Sequence, residues 1–437
     1  MEPRRAPSGR QRVPRRNVPC RSAPVLSPGP GQVPGASLRS LGRSPWNHRT
    51  VAGPRPQRYQ QLRRGRGPRP RVHRCMELLA GSQDPRADAP RGLPSAGGVL
   101  GSRHRDPGWP VKRRRLFITG ASGFIGTNFL SSIDAAEWEV MNFDPEPPLD
   151  AAQQGAWRQG DIMDRDGLRD AFRSFEPHAV IHMAARTDCD EKTVVEPDYR
   201  LNSTGTLNVV DAIRQSGGVE RFVMISTQFV IGPDMPVTDP YEYAPHTVYG
   251  MSKVAAELIV RASRPAPVWC LARPVNIWGP WHLRYEREFW AVARSGRYLH
   301  PGGTDPIRSY GYVGNVCWQL QQLLTLPAEV VHEGVFYLGD PPIPLGMWSD
   351  GFNRALRGRR SRRIPRWALA SLAGVLDVFG RVGVPAPLTW KRFKSMTTDY
   401  VTPTEDTILR LGAPPFSLEE GIRQTVEWLD GRLADDG

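Results

Sequence analysis

Tyr249 and Lys253, four positions apart, are the strongest candidates for chemistry in the sequence. Both lie at the start of a predicted helix, Tyr249 to Arg261, and this spacing directs both side chains to one helix face. A tyrosine is a poor base at neutral pH unless its phenolate is stabilised, and a nearby lysine ammonium provides that stabilisation. The pair therefore predicts a base that accepts a proton from a substrate hydroxyl. The alternative is an ordinary pair on a helix surface.

A hydroxyl that could orient such a substrate precedes the pair. The predicted strand RFVMIS, residues 221–226, leads directly into Thr227. The Thr227 hydroxyl at the strand end can donate a hydrogen bond to the substrate oxygen and hold it against the phenolate. Ser and Thr are common at strand ends, so this assignment depends on the combination with Tyr249 and Lys253.

A glycine-rich loop, TGASGFIG, follows the first predicted strand RLFIT and places Gly120, Gly123 and Gly126 at GxxGxxG spacing. Such glycines permit a tight turn and a close approach of the backbone to a pyrophosphate. The free N–H groups of the following helix, whose first turn contains Phe124 and Ile125, would point at that pyrophosphate. The motif is weak alone, but here it has the strand–loop–helix context that it requires.

Asp144 ends the second predicted strand, which follows the glycine loop. A carboxylate at this position can accept hydrogen bonds from both ribose hydroxyls of NAD and would repel a 2′-phosphate. No arginine adjoins it, so the sequence favours NAD over NADP. The alternative is that Asp144 is only a turn residue before proline. With NAD present, the Tyr249–Lys253 pair predicts hydride transfer from a carbinol to the nicotinamide.

Four further residues follow predicted strands and could contact the cofactor. Asp161 and Ile162, after the third strand, are placed to meet the adenine. Ala184 and Ala185, at the end of the fourth strand, would let the backbone approach the cofactor closely. Each is an unremarkable residue by itself, and the prediction depends on their positions at successive strand ends.

Strands and helices alternate from residue 115 onward, which predicts right-handed βαβ units and a parallel sheet covered on both faces. Besides the segments already named, the predicted strands are EVMNF (139–143), AWRQGDI (156–162), AVIHMAA (179–185) and VWCLAR (268–273), and the predicted helices include 123–133 and 202–215. After Pro274 the pattern becomes shorter pieces rich in Trp, Pro and Gly. We expect an NAD-binding Rossmann-type domain over 111–273 and a smaller substrate-binding domain over 274–437.

The positive charge of the chain is concentrated in its first segment. Residues 1–110 contain 22 arginines, no lysine and 5 acidic residues, whereas the remainder contains 36 basic and 39 acidic residues. The segment has 18 of the 43 prolines and no apolar periodicity, so we expect a disordered extension. A transit peptide or a nucleic-acid-binding arm is possible on composition. A gene-wide arginine bias or a start site further downstream explains the composition better, which disfavours nucleic acid as a partner.

Cysteine spacing and hydropathy limit the cellular location. The five cysteines have neither disulfide nor metal-ligand spacing, which predicts a reducing, cytoplasmic environment and no bound metal. The most apolar stretch, residues 367–383, is too short to span a bilayer and includes Asp377 and Arg381. We expect a packed helix there, with contact to a membrane surface or a partner protein as the less favoured alternative.

Several motifs, taken in order, resemble those of the extended short-chain dehydrogenase/reductase family of nucleotide-sugar epimerases and dehydratases. They are TGASGFIG, GDI, HMAA, LNSTGTLNVV, ISTQFVIG, YGMSK and RPVNIWGP. The resemblance covers about residues 115–435. It implies NAD in a Rossmann domain, a nucleotide-sugar substrate, a C-terminal domain that binds the nucleoside diphosphate, and a homodimer formed through two long helices.

The resemblance also implies roles for individual residues. Thr227 matches the substrate-anchoring hydroxyl, Tyr249 the base and Lys253 the partner that binds the ribose of NAD. Pro274 is assigned to the residues that contact the cofactor. Asn276 matches the residue that contacts the diphosphate region of the substrate, and Arg308 lies where the family clamps the pyrophosphate, a task suited to a guanidinium.

Departures from the family pattern bear on the reaction. Gln228-Phe229 stands where sugar 4,6-dehydratases have Asp-Glu after the threonine, which disfavours water elimination, and Gly314-Asn315 replaces a more frequent Asp-Asp. An epimerase or an oxidoreductase acting at a sugar carbinol is therefore expected. The segment from IPRWALASLAGVLDVFG to PLTWKRF also resembles 3β-hydroxysteroid-type members, so a hydrophobic alcohol stays open. The remaining alternative is a non-catalytic dinucleotide-binding module whose Arg-rich arm binds nucleic acid.

Overall fold

A computed structural model describes residues 113–189, 192–233, 235, 237, 239–381 and 388–435. The predicted disordered extension, residues 1–110, lies outside the described residues. Within the described part, no helix has the length and apolar content needed to cross a bilayer.

The first part of the described chain alternates strands and helices as predicted. Its elements are β1 Arg114–Thr119, α1 Phe124–Ser132, β2 Trp138–Asp144, β3 Trp157–Gln159, α2 Arg165–Phe175, β4 Ala179–His182, α3 Thr206–Ser216, β5 Arg221–Ile225, α4 Val248–Ser263 and β6 Val268–Pro274.

The second part contains short strands and helices of very different lengths. They are β7 Asn276–Trp278, α5 Leu283–Tyr285, α6 Ala291–Arg294, β8 Leu299–Pro301, β9 Ile307–Arg308, β10 Tyr310–Tyr312, α7 Val313–Thr325, α8 Ala328–Val331, β11 Gly334–Leu338, β12 Ile343–Pro344, α9 Leu345–Arg357, β13 Arg362–Ile364, α10 Arg366–Arg381, α11 Trp390–Thr397, α12 Glu405–Leu411 and α13 Leu418–Asp435.

The central sheet has seven strands in the order β11-β6-β5-β4-β1-β2-β3. Every pair is parallel. The strand order reverses between β1 and β4, as in the doubly wound Rossmann fold, and this crevice is where dinucleotides bind. The fold class predicted from the sequence is thus confirmed.

Both faces of the sheet are covered by apolar cores. Along β1, Leu116 and Ile118 belong to one core and Phe117 to the other, because successive side chains of a strand point to opposite faces. All three side chains are fully buried. This burial on both faces explains why the strands read as continuous apolar runs rather than as alternating patterns.

The structure differs from the sequence-based expectation at a few element ends and at one edge. The predicted strand 156–162 is reduced to β3, because only three residues pair with β2. The predicted strand 179–185 ends at His182, where the chain leaves the sheet. The predicted helix 202–215 begins as a π-helical turn, Leu201–Gly205, before α3. The seventh strand, β11, was not predicted, and it pairs with β6 from the second part of the chain.

Candidate active site

The predicted site residues follow strands that end at one edge of the sheet. In the register of the parallel pairs, Thr119 of β1 lies opposite His182 of β4, and His182 lies opposite Met224 of β5. Ile225 of β5 in turn lies opposite Ala272 of β6. Because the carboxyl ends of these strands meet at one edge, the segments that follow them form a common crevice.

The three glycines of the loop after β1 have different local environments. Gly120 has φ +79°, and a Cβ there would lie 2.4 Å from the backbone nitrogen of Ala184. A Cβ on Gly126 would lie 2.4 Å from the carbonyl oxygen of Ala121, so this glycine allows α1 to pack on the loop. At Gly123 the nearest atom would be 3.6 Å away. The first and third glycines are needed for the fold, and the second leaves space open at the helix start.

The N-terminus of α1 adjoins that open space. Gly123 is the N-cap residue, and no side chain caps this end of the helix. The N–H groups of the first turn, including those of Phe124 and Ile125, have no carbonyl partner within a helix and are available to an anion. The Phe124 ring packs edge-on against His282 at 4.5 Å between centroids, and this contact holds the Phe124 side chain at the start of α1.

Asp144 lies beside the same loop. Its carboxylate accepts hydrogen bonds from the backbone N–H of Ser122 at 3.2 Å and of Glu146 at 3.0 Å. Burial raises the pKa of Asp144, and the backbone donors of Glu146 and Ser122 oppose this rise. Each carboxylate oxygen retains a lone pair after these bonds, so the group fits the two ribose hydroxyls expected of NAD.

The other predicted cofactor contacts occupy the neighbouring strand ends. The Asp161 carboxylate accepts from the backbone N–H of Met163 at 2.8 Å, so it stabilises the turn after β3. Ile162 is buried, and its carbonyl accepts from the Asn208 amide at 2.9 Å. Ala184 and Ala185 are half-buried after β4, and Pro274 ends β6 opposite Leu338 of β11.

Tyr249 and Thr227 are neighbours, because the start of α4 packs against the turn that follows β5. Thr247 caps α4 by accepting from the backbone N–H of Gly250 at 2.9 Å, which places Tyr249 in the first turn. Tyr249 is 8% exposed, and burial raises its pKa, whereas its hydrogen bond with the Thr227 hydroxyl lowers it. The end of β5 and the start of α4 thus bring together the two side chains that were predicted to be the base and the substrate-orienting hydroxyl.

Lys253 lies one helical turn after Tyr249 and is 2% exposed. Burial lowers its pKa to about 8, and the charge of Glu257 opposes this shift. The pKa of His182 at the end of β4 is lowered to about 3 by its own burial and by the charge of Lys253. Lys253 is therefore close to the strand end where the cofactor is expected, on the helix that carries Tyr249.

Sequence reasoning missed Asn202, which connects the segment after β4 to α4. Its side-chain amide donates to Ser252 Oγ at 2.8 Å, and its side-chain oxygen accepts from the backbone N–H of Arg186 at 2.8 Å. Asn202 is fully buried. The available signal was its place in the LNSTGTLNVV motif, where a polar residue starts an otherwise apolar helical face. It fixes the position of α4 next to Lys253.

Arg308, which was predicted to clamp the pyrophosphate of the substrate, is buried, and we call the region around it the substrate side of the candidate site. Its Nη1 donates to the carbonyl oxygens of Ser395 at 3.1 Å and Thr398 at 3.3 Å, and its Nε lacks a hydrogen-bond partner among the described residues. Asn276 lies opposite Tyr310 in the β7–β10 pair. Because Tyr310 is two residues from Arg308, this pairing places Asn276 in the same region as Arg308. A buried guanidinium with an unpaired N–H is suited to an anionic group such as a phosphate.

Tyr400, also missed from the sequence, connects the two sides. Its hydroxyl donates to the carbonyl of Ile231 at 3.0 Å, and the Arg308 guanidinium lies over its ring at 5.5 Å. The Tyr400 ring is 6.2 Å from Phe229, whose ring is 6.3 Å from that of Tyr249. Tyr400 is far from all of these residues in sequence, so no local pattern could have indicated it.

The chain belongs to the NAD dependent epimerase/dehydratase family, whose model matches residues 116–339. It is thus an NAD-dependent enzyme of a family that includes oxidoreductases, as its glycine loop and Asp144 predicted.

Individual relatives are distant. Uncharacterized protein 052L of Frog virus 3 is 26% identical over 356 residues, covering 72% of this chain and 98% of the relative. The 3 beta-hydroxysteroid dehydrogenase/Delta 5→4-isomerase of Mycobacterium tuberculosis is 27% identical over 300 residues, covering 63% of this chain and 78% of the relative. The UDP-glucose 4-epimerase structure from Thermotoga maritima aligns with a TM-score of 0.57 at 20% identity, covering 73% of this chain and 99% of that structure.

Proposed function

We propose that the enzyme is an epimerase or oxidoreductase that acts at a carbinol of a nucleotide sugar. The observation that carries this proposal is the burial of Tyr249 beside Thr227, where α4 packs against the turn after β5, with Lys253 one helical turn away. Tyr249 accepts the hydroxyl proton, Thr227 orients the substrate oxygen, and the Lys253 ammonium favours the phenolate. NAD, when bound, supplies the acceptor for the hydride that leaves the same carbon.

The nucleotide part of the substrate is assigned to the second part of the chain. Arg308 offers a buried, unpaired N–H to a phosphate oxygen. Asn276 on β7 lies near it, because its side-chain amide donates to the carbonyl oxygen of the adjacent Ser309 at 3.5 Å. The Thermotoga maritima epimerase structure contains UDP-glucose, which supports a nucleotide sugar as the substrate class. We assign Gly120, Gly123, Gly126, Asp144 and Lys253 to the cofactor.

Gln228 argues against dehydration. This residue follows Thr227 directly, is 2% exposed, and accepts a hydrogen bond from the Thr402 hydroxyl at 2.9 Å. A carboxamide does not titrate, so it cannot serve as the acid or base that water elimination needs. We therefore propose that the ketone formed at the carbinol is either reduced again or released.

A panel of substrates tests this proposal. We expect the full-length enzyme with NAD to convert at least one UDP-, dTDP- or GDP-sugar, as measured by NMR of the products. Accumulation of NADH in proportion to product identifies an oxidoreductase, whereas a changed sugar without NADH identifies an epimerase. Conversion of none of the nucleotide sugars would overturn the proposal.

The second candidate is a 3β-hydroxysteroid-type dehydrogenase. It is favoured by the relative from Mycobacterium tuberculosis, named as a 3 beta-hydroxysteroid dehydrogenase/Delta 5→4-isomerase, and by the apolar side chains that α10 and α11 expose. The same chemistry at Tyr249 serves a sterol hydroxyl. Including a 3β-hydroxysteroid in the panel separates the two candidates, since NADH formation with the steroid alone supports this one.

We also propose that the chain forms a homodimer through α3 and α4. Leu207 on α3 and Met251 and Leu258 on α4 are 42%, 47% and 50% exposed, and the two helices pack side by side. Burying such side chains against a second copy removes apolar surface from water. We expect the wild type to sediment as a dimer and Leu207→Glu/Leu258→Glu to sediment as a monomer. A monomeric wild type would contradict this proposal. We also place the enzyme in the cytoplasm, because the spacing of its five cysteines does not indicate disulfides.

A further inference from the structure

The segment from 357 to 394 has an unusual charge. It contains ten basic residues and one acidic residue, whereas the chain from 111 onward has slightly more acids than bases. Arg359, Arg360 and Arg362 are exposed, and none of the three has an ion-pair partner among the described residues. This cluster immediately precedes α10, so its unneutralised charge is concentrated beside that helix.

The same segment exposes large apolar side chains. On α10, Leu369 and Ala373 are buried against the protein, yet Trp367, Leu372 and Val375 on other faces are 74%, 39% and 55% exposed. Helices on protein surfaces ordinarily present polar residues to water. The α10 helix therefore buries apolar side chains on the side that packs and exposes further large apolar side chains, with Ser371 among them, on the side that faces solvent.

The neighbouring helix α11 extends this surface. α10 and α11 pack against each other, and Trp390 at the start of α11 is 47% exposed. Lys394 on α11 is also exposed. We call the exposed side chains Trp367, Leu372, Val375 and Trp390, together with the cluster Arg359, Arg360 and Arg362, the α10–α11 face.

We propose that the α10–α11 face docks the enzyme on an anionic lipid surface. Tryptophan with Leu and Val inserts into the interfacial region of a bilayer, and arginines beside it are attracted to anionic headgroups. A second copy of the chain is a poor occupant, because the same positive cluster would face itself across a twofold axis. Nucleic acid accounts for the arginines but leaves the aliphatic Leu372 and Val375 without a role.

Docking would be coupled to the active site through α11. Arg308, assigned to the substrate, donates to the carbonyl oxygens of Ser395 and Thr398 at the C-terminal end of this helix. The helix that exposes Trp390 at its start thus forms a wall of the substrate side at its end. The proposal itself is independent of the substrate, since it depends only on the exposed side chains.

Vesicle binding by the full chain tests the proposal. Trp367→Ser/Leu372→Ser/Val375→Ser should reduce binding to vesicles of phosphatidylcholine and phosphatidylserine by about tenfold or more. Arg359→Gln/Arg360→Gln/Arg362→Gln should reduce it by about a hundredfold, and should not change binding to phosphatidylcholine alone. Leu409→Ser on α12 is the matched control, since Leu409 is 84% exposed and lies outside this face. Every variant retains the Arg-rich residues 1–110, so differences report on the α10–α11 face.

A local probe completes the test. Brominated lipids quench tryptophans that enter the bilayer, and we expect this quenching to disappear in Trp367→Phe/Trp390→Phe, which keeps both positions apolar. Unchanged thermal unfolding of each variant verifies folding. Equal vesicle binding by the apolar variant and the wild type, or quenching that persists in the Phe variant, would overturn the proposal. Variants that lose binding to single-stranded RNA but keep binding to vesicles would overturn it as well.

Discussion

The cofactor side and the substrate side of the candidate active site are built by different means. On the cofactor side, the loop after β1 is shaped by backbone geometry that only glycine permits, as at Gly120 with φ +79°. On the substrate side, Arg308 is held by carbonyls of Ser395 and Thr398, and Tyr400 reaches back to Ile231. Local backbone constraints can be recognised in the sequence because they require particular residue types at fixed spacing. Contacts between distant segments require no such local pattern.

Replacing the loop glycines should affect the cofactor side most strongly. In Gly120→Ala the new Cβ meets the Ala184 backbone at a positive φ, so we expect a loss of more than about 2 kcal/mol of stability and at least about a hundredfold in NAD affinity. Gly123→Ala, with no atom nearer than 3.6 Å, should keep its stability and lose only NAD affinity. Urea unfolding and calorimetric NAD titration measure both. Equal destabilisation in the two variants would break the distinction between fold-determining and cofactor-facing glycines.

A buried ion pair behind the catalytic helix is the next test. Arg273 on β6 donates to the Glu257 carboxylate on α4 at 2.7 Å, and both side chains are fully buried. Arg273→Met removes the ion-pair partner of the carboxylate, which then keeps the hydrogen bond from Tyr243, and should cost about 3–5 kcal/mol. Arg423→Met, which removes an exposed ion pair with Glu420, is the control and should change little. A small effect at Arg273, measured by urea unfolding, would mean that α4 is not fixed by this pair.

The buried Lys253 predicts a pH dependence of stability. Its pKa is lowered from 10.5 to about 8 in the folded protein. Lys253 therefore binds more protons in the unfolded chain between these values, so its contribution to the free energy of unfolding should increase as the pH rises from about 8 toward 10.5. Urea titrations across this range measure the slope, and Lys253→Met should flatten it. A wild-type slope no more positive than that of Lys253→Met would contradict the burial of the ammonium, because the buried thiols of Cys270 and Cys317 contribute equally to both proteins.

The smallest expected effect is on the substrate side. Tyr400→Phe removes the hydroxyl that donates to Ile231 and keeps the ring that packs on Phe229. We expect a loss of about 1 kcal/mol in stability and a higher KM at unchanged kcat, because one hydrogen bond is removed far from the reacting atoms. NAD affinity should not change. A fall in NAD affinity equal to that in substrate affinity would show that the two sides are not separately built.

These differences explain which parts of the fold and of the candidate site could be predicted from the sequence. Apolar runs and turn residues predicted six of the seven sheet strands, and the glycine loop and Tyr249–Lys253 spacing predicted the cofactor side because each is a local pattern. The strand β11, with the sequence GVFYL, was missed because it lies after Pro274, where the regular alternation of strand and helix patterns is lost. Asn202 and Tyr400 were missed because their roles come from contacts with residues far away in the chain.

The most direct test of the account is the turnover of Tyr249→Phe with the substrate that the panel identifies. We predict that kcat falls by about a hundredfold to ten-thousandfold, because the phenyl ring cannot accept the hydroxyl proton. NAD affinity should stay unchanged, and Tyr241→Phe, which alters a half-exposed tyrosine outside the site, should retain full activity. Wild-type turnover by Tyr249→Phe would contradict the central claim that this phenol is the base.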